Sequence, residues 1–216
     1  MSIRVVIADD HPVVRDGLRL AIEQSGADIV VAGEAAAGLE ALDLARTARA
    51  DVFILDVTMP NLNGIETLRE LRKRDPAAKC IVLSLHGSEA LVDEALAAGA
   101  RGYLTKEAVT RTVVEAVKEV NAGRSYLCPR VAQVVLEGRA RGRRAPRRAA
   151  SPPLTGQERK VLQLVAEGRT NKEMAELLRI SVHTVHAHRT SLMAKLDLHK
   201  QAELIRYALR EGLAKP

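Results

Sequence analysis

The chain has 216 residues, more than one average domain and fewer than three, and its 47% hydrophobic content suffices for packed cores. One Phe, three Tyr and no Trp leave aliphatic side chains to fill those cores, which argues against base stacking on aromatic platforms. The net charge of +6 is uneven: residues 1–127 carry 15 Lys/Arg against 19 Asp/Glu, and 128–216 carry 18 against 8, so a polyanionic partner suits only the second half.

From the N-terminus, residues 3–121 read as five repeats of a short apolar run followed by an amphipathic helix. That alternation forces a parallel sheet with helices on both faces, an α/β architecture. The expected strands are Ile3–Ala8, Ile29–Ala32, Val52–Leu55, Cys80–Leu85 and Gly102–Leu104, each continuously apolar because both faces are covered. The expected helices lie near 12–25, 35–48, 63–74, 88–98 and 108–121, with Gly99 and Gly123 as helix stops. The opening apolar run is too short and too acidic in its flank for a signal peptide, and no apolar stretch reaches 18 residues. Cys80 and Cys128 are isolated, without ligand or disulfide spacing, so a cytoplasmic protein with no membrane partner is expected.

Residues 124–153 are expected to form a flexible linker between a domain at 1–123 and one at 154–216. Pro129–Glu137 has the pattern of a short helix, while Gly138–Pro153 holds six Arg among Gly, Pro, Ala and Ser. The remainder is helical throughout. Thr155 and Glu158 spell a capping box ahead of Val161, Leu162 and Val165. Further helices should begin after Asn171, after Ser181 and near His199–Gln201, with Gly168 closing the first, giving a compact four-helix bundle.

Chemistry concentrates at strand ends. The first strand ends in Asp9-Asp10 and the third in Asp56, so three carboxylates meet at the carboxyl edge of one parallel sheet, where such sheets hold ligands. Their mutual repulsion calls for a hard divalent cation, most simply Mg2+. Ser84 and Lys106 reach the same edge and supply a hydroxyl and an ammonium for a new anion. An aspartate oxygen flanked in this way can attack phosphorus, and Asp56, on the central strand, is the best placed nucleophile. A haloacid-dehalogenase-type enzyme shares much of this set but needs a second Asp two residues after the nucleophile, where this chain has Thr58.

Asp9-Asp10, Leu-Asp56-Val-Thr-Met-Pro60, Asn63-Gly64, Val-Leu-Ser84 and Gly-Tyr103-Leu-Thr-Lys106 together resemble the receiver domain of bacterial two-component response regulators. The resemblance implies a flavodoxin-like (βα)5 fold with five parallel strands in the order 2-1-3-4-5. It also implies that Asp56 is the phosphoacceptor, that Asp9, Asp10, Asp56 and the Thr58 carbonyl hold Mg2+, and that Ser84 and Lys106 bind the phosphoryl group. Tyr103 would turn inward when Ser84 moves, and Thr58 and His86 occupy positions that tune the lifetime of the phosphoryl group.

The second half resembles the LuxR-type helix-turn-helix of the NarL/FixJ class of response regulators. The resemblance is carried by Leu154-Thr-Gly-Gln-Glu158-Arg, Asn171-Lys-Glu173, Ser181, Thr184-Val185, His188 and Lys195-Leu196. The helix after Ser181 would enter the major groove, with Val185, Leu192 and Leu196 inward and His186, Arg189 and Thr190 outward. Lys172, Thr184, His188 and Lys195 match phosphate-contacting positions, and His186, Ala187 and Thr190 base-facing ones. Val185 and Arg189 lie in the same DNA-binding stretch, although Val185 also reads as core and Arg189 as solvated. DNA, a sensor histidine kinase and a second copy of the chain on paired half-sites are the expected partners. Phosphorylation at Asp56 would control DNA binding and transcription.

Overall fold

A computed structural model describes residues 2–85, 87–107, 109–141, 154–210 and 213. His86 and the Arg-rich stretch from residue 142 onward lie outside the described residues. The chain divides into two compact units, Met1–Met59 with Asn63–Ala145, and Pro146–Pro216 with Pro60–Leu62.

In the first unit the strands β1 (Ile3–Ala8), β2 (Ile29–Ala35), β3 (Val52–Asp56), β4 (Cys80–Ser84), β5 (Gly102–Thr105) and β6 (Tyr126–Leu127) form one parallel sheet in the order 2-1-3-4-5-6. Alternating with the first five are α1 (Pro12–Glu23), α2 (Gly38–Thr47), α3 (Gly64–Arg74), α4 (Glu89–Ala98) and α5 (Val109–Asn121), the flavodoxin-like arrangement. Every residue of β3 and β4 is buried, and Val5, Val6, Ile7 and Ala8 are fully enclosed, which is why these strands are apolar without alternation. Registers such as Ile54 opposite Ile81 and Ala8 opposite Leu55 align the strand ends, so one edge of the sheet collects the residues that follow β1, β3 and β5.

The expected linker boundary at 124 is corrected by the structure. Tyr126–Leu127 pairs with Gly102–Tyr103 as the sixth strand, and α6 (Pro129–Arg141) packs against α4 and β5. Cys128, Val131 and Val135 are buried there, and that buried apolar row is what attaches the segment to the sheet. The short helix expected at 129–137 runs four residues further.

The second unit holds α7 (Gly156–Ala166), α8 (Asn171–Leu178), α9 (Val182–Leu196) and α10 (Gln201–Arg210) around Val161, Leu162, Val165, Met174, Val185, Leu192, Leu204 and Ala208. Thr155 caps α7 in a reciprocal capping box with Glu158, and Ser181 caps α9. The cap of α8 is Thr170 rather than Asn171, because Thr170 and Glu173 have the spacing for a second capping box and exchange both bonds. Gly168 ends α7 at φ +75°, a backbone conformation that costs glycine nothing.

Candidate functional site

Asp9 follows β1 directly, Asp56 closes β3 and Lys106 follows β5, so the parallel topology brings all three to one rim. The Lys106 Nζ lies 2.6 Å from Asp9 Oδ2 and 2.9 Å from Asp56 Oδ2. Asp9 is fully buried, Asp56 is 2% exposed and the lysine side chain 8%, while Asp10 sits nearer the solvent. Burial pushes the Lys106 ammonium toward losing its proton, yet Asp56 and Asp9 hold its pKa above the ordinary lysine value. One ammonium thus bridges two buried carboxylates, with Asp10 beside them. Ligand atoms of Asp9, Asp10, His11 and Asp56 all lie within 4.8 Å of one another, a donor set compatible with a hard divalent cation such as Mg2+.

Two neighbouring side chains went unsingled in the sequence. The His11 Nδ1 lies 3.0 Å from Asp9 Oδ1 and 2.8 Å from Asp10 Oδ1, and its backbone N–H donates to Asp9 Oδ1 at 2.8 Å. Arg15, one turn into α1, donates from Nη1 to the Asp9 carbonyl at 2.6 Å and pairs with Glu34 on β2. The sequence signal for His11 was its adjacency to the acidic pair; Arg15 had none.

Behind the rim, Gly64 is required by close approach. A Cβ there would lie 2.1 Å from the Asp56 carbonyl oxygen, and the Gly64 N–H donates to the Val57 carbonyl at 3.0 Å. Asn63 caps α3 by accepting from the Glu66 N–H at 2.9 Å, which fixes the loop that carries the half-buried Thr58. Ser84 ends β4, nearly buried, and its carbonyl accepts the Lys106 N–H at 2.9 Å. Tyr103 is completely enclosed and hydrogen-bonds Ser84, with burial pushing its phenol up to about 12.

In the helical unit, α9 exposes His186, Ala187 and Thr190 on one face, with Arg189 half-buried between them and α8. Lys172 is exposed at the start of α8. Thr184 bonds the Ser181 cap at 2.8 Å, and His188 is half-buried. The His186 Nε2 lies 3.0 Å from Asn171 Nδ2, and Arg189 donates to Asn171 at 2.6 Å and to Gln201 at 3.2 Å. One expectation is corrected. Val185 is fully buried in the helical core, so it is a packing residue with no surface for DNA. The Lys195 Nζ lies 2.8 Å from Glu158 Oε2, with a quarter of its side chain exposed. Burial raises the Glu158 pKa, but Lys195, Ser191 and the Thr155 cap together hold it down at about 2.

Comparison with known proteins places both units. Residues 5–118 match the response regulator receiver domain, and residues 152–208 the bacterial regulatory proteins of the luxR family. The transcriptional regulatory protein MctR of Rhizobium johnstonii is 36% identical over 98% of this chain and 95% of its own length. The DNA-binding transcriptional activator DevR/DosR of Mycobacterium tuberculosis is 37% identical over 99% and 97%. Among solved structures, a chain from the structure of two RcsB dimers bound to two parallel DNAs matches with a TM-score of 0.59 at 25% identity, covering 96% of this chain and 98% of that one.

Proposed function

Since this chain belongs to the two-component response regulators, pairing a receiver domain with a LuxR-type DNA-binding domain, we propose that Asp56 is its phosphoacceptor and that the aspartyl phosphate controls DNA binding. The chain is a transcription regulator of the NarL/FixJ class, not an enzyme. The observation that carries the site reading is the single Lys106 ammonium bridging buried Asp9 and Asp56 beside Asp10.

In this reading Asp9, Asp10, Asp56 and the Thr58 carbonyl hold Mg2+, which would supply positive charge to the transferring phosphoryl oxygens. The Asp56 carboxylate oxygen attacks phosphorus, an O–P bond forms, and the bond to the donor, a histidine of the sensor kinase, breaks. Lys106 gives up its pairing with Asp56 to neutralise the incoming oxygens, and Ser84 donates its hydroxyl to one of them. Tyr103, bonded to Ser84, keeps the loop after β4 drawn toward the site, so charge added at Asp56 is transmitted to β5 and its neighbours. We read residues 1–141 as the receiver, extended from 123 by β6 and α6, and 154–216 as the DNA-binding domain.

On DNA, α9 lies in the major groove with His186, Ala187 and Thr190 toward base edges, Lys172, Thr184, His188 and Lys195 toward phosphates, and Arg189 supporting them through Asn171. RcsB is seen as dimers on DNA, and a homodimer on half-sites about one helical turn apart suits this chain too. We place the protein in the cytoplasm, a reading supported by its DNA partner and two buried free cysteines.

Acetyl phosphate labelling tests the site: incorporation in the wild type and none in Asp56→Asn is expected, and persistent labelling removes the assignment. Footprinting of both proteins with and without phosphodonor tests control. Equal affinity in all four conditions would make the receiver a phosphate-blind dimerisation module instead. Binding should weaken steeply with salt, and Lys172→Ala should flatten the slope by about 0.9.

A further inference from the structure

His11 occupies the position before α1 where a Ser, Thr, Asp or Asn normally caps the helix, yet its side chain makes no cap bond. Its ring is turned instead onto the carboxylates, and nearly half of the side chain remains exposed. The backbone bond from the His11 N–H to Asp9 Oδ1 pins the residue in place across the rim. Six-coordinate ions hold ligand atoms about 3 Å apart when adjacent and about 4.2 Å when opposite, for bonds near 2.1 Å. The four ligand atoms of Asp9, Asp10, His11 and Asp56 all lie within 4.8 Å of one another, close to the span of such a shell.

Resting on the reading of this pocket as the cation site, we propose that His11 is a nitrogen ligand of the pocket, which thereby takes borderline transition-metal ions such as Mn2+, Co2+ or Zn2+ as well as Mg2+. The chemistry is selective. Mg2+ prefers carboxylate, carbonyl and water oxygens and gains little from an imidazole, whereas the later first-row ions bind imidazole strongly. Three carboxylates and a nitrogen thus make a mixed donor set, and His11 decides which cation competes best for it. Lys106, whose Nζ is 3.5 Å from the His11 Nδ1, is the charge that any such ion must share the pocket with.

The test is electron spin echo spectroscopy of Mn2+ bound to the full-length, tag-free protein, with cation affinities measured by calorimetry. The expected result is nitrogen-14 modulation from a directly bound imidazole, absent in His11→Ala and in Asp56→Asn. The Co2+ affinity of His11→Ala should fall about tenfold while its Mg2+ affinity changes less than threefold. Mn2+ bound without nitrogen coupling overturns the proposal and leaves the cation site standing, as does a parallel loss of Co2+ and Mg2+ affinity. Failure of any divalent ion to bind, or binding indifferent to Asp10→Asn and Asp56→Asn, overturns the site reading and this proposal with it.

Discussion

The receiver and the helical domain each bury a carboxylate against a lysine, and the two arrangements do opposite things. At the receiver rim one lysine serves both Asp9 and Asp56 while Asp10 stands beside them, so negative charge is in excess. In the helical domain Glu158 has Lys195 to itself at 2.8 Å, and also accepts from Ser191 and from the Thr155 N–H, each at 2.7 Å. Its lone pairs are satisfied and its charge is balanced. On the proposed phosphoacceptor role the over-supplied acid cluster takes up a cation and an electrophile, whereas the balanced pair fastens α7 to α9.

The contrast is sharpest in its response to removing an acid. Glu158→Ala leaves Lys195 half-covered without its partner and deletes a capping box, so thermal or denaturant unfolding should show a loss of about 3 kcal/mol. Gly64→Ala attacks the receiver site by sterics. The added methyl must displace the Asp56 backbone, which should cost about 2 kcal/mol of stability and most acetyl phosphate labelling. An unchanged labelling rate would show that the close approach is not what places Asp56.

Acid provides the next measure. The Glu158 pKa lies at about 2 when folded and at 4.5 ordinarily, so the unfolded state binds the proton more readily. The stabilisation is complete above pH 4.5 and drains away as pH falls toward 2, by about 2 kcal/mol. Hydrogen exchange in α7 should follow that window, and flat protection between pH 5 and 3 would deny the balanced pair its role. The smallest effect has the opposite sign. Asp9→Asn removes one of three crowded charges and keeps an acceptor for the His11 N–H, so without added cation the receiver should gain about 1 kcal/mol. A loss as large as that of Glu158→Ala would erase the distinction between the two clusters.

Much of this molecule was written locally. Apolar runs such as Val5–Ala8 and Cys80–Leu83, covered on both faces, announce parallel strands. Asp9, Asp10, Asp56 and Lys106 at strand ends must share an edge once the strands are parallel, and Thr155 with Glu158 spells its cap within four residues. What tertiary structure alone decided depends on partners distant in the chain. Tyr126–Leu127 is too short to read as a strand until Gly102–Tyr103 offers it an edge, and α6 holds to the receiver because its buried row finds α4 and β5. Val185 and Lys195 match a DNA-binding pattern in sequence, but the pattern marks positions rather than the neighbours that claim them. The core encloses Val185, and Lys195, a quarter exposed, also pairs with Glu158, 37 residues away. His11 is the same case at the receiver rim. Its neighbours in sequence identify the acids, while the direction of its ring is set by a helix start that leaves the imidazole uncommitted to capping.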